Sequence, residues 1–206
     1  MGIQERRIRE REARRASVLD AARELLCEHG FSGTTTKQIA ERCEVSEATL
    51  FWHFQSKDEI FVSLLFEGIE FMARGLEEIG VVEAPLEKRF TQLWKFFTRV
   101  RDEHPEYFYV FAYLAHPQST ASVADEVKAD LARRSGNNFR MLANIIAEST
   151  DVKNARPIVD LLWSAFLGLM VLRDSRANLG ATPRPNEKEL KALCKLLIEG
   201  IVPQEA

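Results

Sequence analysis

Residues 35–57, TTKQIAERCEVSEATLFWHFQSK, constrain the chain more than any other stretch. Thr35 stands where a helix N-cap belongs, and Gln38 three residues later completes a capping box. Ile39, Ala40 and Cys43 then fall on one apolar face at helical spacing. Glu44 and Val45 interrupt the pattern, and Ser46 can cap a second helix through Phe54, roughly 13 Å long at about 1.5 Å per residue. Ser56 with Glu59 forms another capping box and opens a third helix. Two short helices joined by a tight turn are either a DNA-reading element, the second helix lying across a major groove, or an ordinary corner of an all-α domain.

The content of the stretch separates these readings. Thr34-Thr35-Thr36, Ile39-Ala40, Val45-Ser46, Thr49-Leu50-Phe51-Trp52-His53-Phe54 and Ser56-Lys57 follow one another at fixed spacing. In this the chain resembles the N-terminal DNA-binding domain of TetR-family transcriptional regulators, over residues 14–65. Two departures stand out. The family usually has Gly in the turn where this chain has Glu44, and a left-handed Glu44 would carry a strain of about 1 kcal/mol. The family's first Tyr is Phe51, so a phenolic bond to phosphate is lost, and His53 is left as a ring N–H donor.

The second helix must bury one face and read with the other. Val45, Leu50 and Phe54 are expected to face the core, leaving Glu47, Ala48, Thr49, Trp52 and His53 towards the groove. Thr49 suits a phosphate or a thymine methyl, and Ala48 a thymine methyl. Glu47 suits either cytosine N4 or the positive end of its own helix. Trp52 belongs either on sugar-phosphate or in the core. Lys37 and Lys57 each sit at a helix start, where a cation opposes the dipole; an anion just outside would explain both, as would plain solvation. Thr36 can donate its hydroxyl to phosphate. With the positions that the resemblance adds, the expected DNA-binding set is Thr35, Thr36, Lys37, Ser46, Glu47, Ala48, Thr49, Phe51, Trp52, His53 and Lys57.

Glycine and proline are scarce, at 10 and 7 in 206 residues, and strand-like alternation is rare, so the chain reads as all-α. Residues 1–56 are expected to hold an N-terminal arm and the helix-turn-helix, and residues 57–206 a helical effector-binding and dimerisation domain. The net charge of −3 does not itself suggest nucleic acid, but residues 1–15 hold six Arg against three Glu. That segment is either a disordered terminus or a frayed arm or helix extension that touches phosphate. Cys27, Cys43 and Cys194 lack metal-ligand spacing, and the first two fall among apolar positions, as buried thiols of a reducing cytosol would. The charged N-terminus is unlike a signal peptide, and the most apolar stretch, 158–172, is too short to span a bilayer. A cytoplasmic protein without membrane attachment or cofactor is expected.

Downstream, helices are expected over residues 14–29, 57–79, 85–103, 106–115, 121–149, 156–177 and 187–202, with Gly30 as a left-handed cap. The helix over 156–177 is apolar all round and so needs cover on both sides. The resemblance implies that the last two helices form a homodimer interface, with Trp163, Ser164, Leu167, Gly168, Leu193, Leu197 and Ile201 as candidates. It also implies a pocket for a small apolar or amphipathic effector. The candidates are Trp94, Phe97, Phe108, Phe111, Met141, Ile145, Phe166 and Met170, with His116 and Asn137 as polar anchors, although each could equally be core. Phosphate loops, nucleophile elbows and metal spacings are missing, which argues against an enzyme. The expected function is a repressor that binds a palindromic operator as a dimer and is released by its effector. The alternative is a DNA-binding dimer that docks a protein partner.

Overall fold

The computed structural model describes residues 2–114, 119–150, 152, 154–181 and 187–201. The described residues form helices α1 (Ile3–Gly33), α2 (Thr36–Arg42), α3 (Glu47–His53), α4 (Lys57–Val81), α5 (Leu86–Glu103), α6 (Pro105–Tyr113), α7 (Asp125–Ala147), α8 (Arg156–Asn178) and α9 (Glu187–Ile201). No strand occurs among them, so the fold is all-α as expected. No helix among the described residues is long and apolar enough to cross a membrane.

The chain divides into two compact units, one of Met1–Glu70 with Arg101–Arg133, the other of Phe71–Val100 with Arg134–Ala206. Helices α4, α5 and α7 each run through both, so the division does not fall at a single point in the chain. In the first unit, Val18, Ala22, Leu25 and Leu26 of α1 pack with Ile39 of α2, Leu50 of α3, and Ile60, Phe61 and Leu64 of α4. Val110 of α6 closes the same core, with Phe111 packed against it. Arg23 of α1 pairs with Glu67 of α4 and with the buried Glu106 of α6 at 3.2 Å, which ties three helices together below the core. In the second unit, the Phe166 ring centroid lies 5.3 Å from those of both Trp94 and Phe97, and Trp163 packs against Phe97 and Phe166.

Local chemistry explains the N-terminal elements. The α1 helix starts at Ile3, so the arginine-rich arm is a continuation of the helix. Gly30 is the joint near its end: φ is positive at 67°, but ψ is −178°, an extended conformation open to glycine rather than the left-handed cap expected. Thr35 Oγ1 accepts from the Gln38 amide at 3.2 Å and Gln38 Oε1 accepts from the Thr35 amide at 2.8 Å, which is the expected capping box. Ser46 Oγ accepts from the Thr49 amide at 3.1 Å and so starts α3. Between them Glu44 takes φ 55°, the left-handed turn position anticipated for it. At the next junction, Ser56 Oγ accepts from the Glu59 amide at 3.1 Å, but Glu59 returns its carboxylate to the Gln55 amide, one residue early for the expected box.

One expectation about the cysteines fails. Cys43 is buried and its Sγ donates to the Ser17 carbonyl at 3.4 Å, but Cys27 is exposed. Position 27 lies just outside the stripe of Ala22, Leu25 and Leu26, next to the charged Glu28. Partial burial, followed by Glu106, pushes the Cys27 thiol up, so it is held protonated.

Candidate nucleic-acid interface

Helix α3 is seven residues long, about 10 Å at 1.5 Å per residue, shorter than the sequence suggested because Phe54 already has extended backbone. Leu50 and His53 are its buried positions. The opposite face carries Ala48, Thr49, Phe51 and Trp52, all exposed, with Phe51 at 45% and Trp52 at 69%. Two large aromatic rings beside an exposed threonine form an apolar surface that the core of the unit does not account for.

His53 corrects the expectation that it faces outward. It lies three residues after Leu50, on the same face, and only 8% of it is exposed. Trp52 covers it edge-on at 4.9 Å, and Arg15 of α1 donates to its carbonyl. Burial, then the charges of Arg11, Arg15 and Arg14, holds its imidazole below the ordinary histidine range. It is a neutral packing residue, with Nδ1 unpartnered among the described residues.

The polar candidates are partly engaged with one another. Thr36 donates to Glu47 at 3.3 Å, which clasps the start of α2 to the start of α3. Ser46 and Thr49 share a hydroxyl–hydroxyl bond of 2.9 Å, and Thr35 is occupied by its capping box. Lys37 is exposed and 3.9 Å from Glu41, a loose surface pair. Lys57 has a reason for its position that the sequence did not disclose. Its Nζ donates to the carbonyls of Phe31 at 3.0 Å and Thr34 at 2.9 Å, and lies 4.3 Å over the Phe31 ring. It thus binds the chain that leaves α1, and no external anion is needed to explain a cation there. Burial lowers its pKa.

The arginine-rich segment was foreseen as an arm, but its contact with the end of α3 was not. Arg11 stands 5.4 Å over the Trp52 ring and Arg15 4.0 Å over Phe54. The available signal was periodicity, because these arginines extend the stripe that buries Val18.

The pattern that defines the bacterial regulatory proteins of the tetR family matches residues 18–64. Residues 18–64 thus carry the N-terminal pattern of tetR-family regulators. That assignment is supported by similarity to the transcriptional repressor AcnR of Corynebacterium diphtheriae, 36% identical over 34% of this chain and 37% of AcnR. The chain therefore matches little more than a third of the length of that relative. The transcriptional activator FasR of Mycolicibacterium smegmatis is 28% identical over 72% of this chain and 76% of its own length. Among solved structures, FadR of Bacillus subtilis, in complex with stearoyl-CoA, superposes with a TM-score of 0.67 at 16% identity, covering 91% of this chain and 99% of that one. The likeness to FadR extends the shared fold beyond the N-terminal helices.

The expected effector residues do not form one group. Trp94, Phe97, Ile145, Phe166 and Met170 are buried in the second unit, while Met141 and Asn137 are half-buried there. Phe108 and Phe111 belong to the first unit. Asn138, next to Asn137, is the more buried of the two amides. His116 lies outside the described residues. On α8, Val159, Leu162, Phe166 and Met170 face inward. Leu161, Ser164, Gly168, Val171 and Leu172 are exposed along the other side, with Trp163 and Leu167 half-buried. Leu193 on α9 is half-buried; the side chains of Leu197 and Ile201 lie outside the described residues.

Proposed function

We propose that this chain is a ligand-responsive transcriptional regulator that inserts α3 into the major groove of an operator, twice, from a homodimer. The exposed Thr49, Phe51 and Trp52 on a helix capped at Ser46 and seated through Leu50 carry the reading. In it, Ala48 and Thr49 address base edges or phosphate, and Trp52 lies on sugar-phosphate. Lys37, Thr35, Thr36, Ser46 and Glu47 line the approach. Lys57 presents the rim that it stabilises. The exposed side of α8, with Ser164 and Gly168 permitting close approach, forms the two-fold contact together with α9. Leu161 at 60% and Val171 at 58% exposure are apolar surface that a second subunit would cover.

Repression, relieved by a small amphipathic molecule, is the sign we assign. The stearoyl-CoA held by FadR makes a long-chain acyl thioester the first effector to try. A ligand favouring splayed reading helices would shift the population away from DNA. The ring-to-ring packing of Trp94, Phe97, Trp163 and Phe166 favours a second reading, in which the C-terminal helices dock a protein instead. Selection from random duplex DNA tests the main proposal. It should enrich an inverted repeat with half-sites about one helical turn apart, roughly 34–36 Å. Enrichment of nothing, or of an unsymmetrical site, would count against the dimeric reader. Release of the selected duplex by stearoyl-CoA would support the ligand reading over the protein-docking one.

A further inference from the structure

Helix α1 overshoots the core it belongs to. Its buried stripe of Leu25, Ala22 and Val18 continues towards the N-terminus, at the same spacing, as Arg14, Arg11 and Arg7. The face that buries apolar residues thus becomes an arginine face where residues 4–14 are all exposed. That face adjoins the outer end of α3, since Arg11 lies over the Trp52 ring and Arg15 donates to the His53 carbonyl. Among the described residues, none of the ion pairs engages Arg7, Arg11 or Arg14, whereas Arg6, on another face, is paired with Glu10 at 2.9 Å. A row of cations spanning roughly 10 Å along a helix, bordered by one carboxylate, Glu10, which Arg6 already pairs, matches a regularly charged polyanion.

We propose that the N-terminal turns of α1 form a phosphate-binding arm that grips the duplex backbone flanking the groove entered by α3, through Arg7, Arg11 and Arg14. Continuity with the exposed α3 face through Trp52 points to DNA rather than to an acidic protein. The inference rests on the reading of α3 given above, and its test separates the two.

The full chain, an R7Q/R11Q/R14Q variant and an R7K/R11K/R14K variant are titrated with the selected duplex and with an unrelated duplex of equal length over a range of salt. The Gln variant should lose close to 3 from the slope of log K against log salt, at about 0.9 per phosphate. It should bind both duplexes about 10- to 100-fold more weakly at low salt, with its preference between them intact. The Lys variant, with the charge restored, should keep the slope. A Gln variant whose slope stays within about half a unit of the wild type overturns the arm while leaving α3 in place. A Gln variant that loses its preference with the slope unchanged also overturns it. A wild-type chain that binds neither duplex overturns both proposals.

Discussion

Aromatic rings are treated in opposite ways in the two units. On α3, Phe51 and Trp52 are 45% and 69% exposed, although the helix that carries them is only seven residues long. In the second unit Trp94, Phe97 and Phe166 are at most 3% exposed and pack against one another. Buried rings explain themselves, because each removes apolar area from water at about 25 cal/mol per Å². Exposed rings held out on a capped helix do not, and this is why a surface of four residues is more informative about function than a core of many. Each reading implies a different response to mutation.

The largest effect should come from Phe166→Ala. Truncating a fully buried ring between Trp94 and Phe97 should cost about 3–5 kcal/mol in chemical denaturation. If the loss were under about 1 kcal/mol, the second unit would be loosely packed and the pocket reading would gain. Next is Arg23→Gln, which strips the buried Glu106 of its guanidinium partner and should cost about 3 kcal/mol by the same measurement. Lys57→Ala should cost about 2 kcal/mol, because two carbonyls lose a charged donor. A stability loss with an unchanged salt slope of DNA binding would make Lys57 purely structural; a slope reduced by about 1 would add it to the phosphate contacts.

Smaller effects probe the turn and the packed histidine. Glu44→Gly relieves the left-handed strain but frees the unfolded chain, so the net gain should be at most about 1 kcal/mol, seen as a raised melting temperature. His53 should give the chain a pH dependence. Its folded pKa is depressed, so the unfolded chain takes up the proton more readily. Its contribution to stability is therefore complete above about pH 6.5 and is lost as pH falls from there through the folded value. The drop in melting temperature between neutral and mildly acidic pH should be smaller in His53→Gln, whereas equal drops would mean that His53 titrates as a solvated residue.

The same contrast explains what the sequence could disclose. Thr35, Gln38 and Ser46 act within three residues of themselves, so their caps, the strained Glu44 and the family resemblance were all legible. The inward turn of His53 was legible in its spacing, three residues after Leu50, but that signal was passed over in favour of a phosphate-donor role. Lys57 was read as opposing its own helix, yet it serves carbonyls 23 and 26 residues earlier. The grouping of Trp94 with Phe166, and the separation of Phe108 into the other unit, depend on tertiary packing that helical periodicity does not encode.

The central claim is that the outward face of α3 reads base pairs. Fluorescence anisotropy on the selected duplex, comparing the full chain with Thr49→Ala, tests it most directly. The account predicts about a tenfold or greater loss of affinity for that duplex, equivalent to about 1.4 kcal/mol, with no shift in melting temperature and no change on an unrelated duplex. Equal affinity of the two proteins for the selected duplex would contradict it.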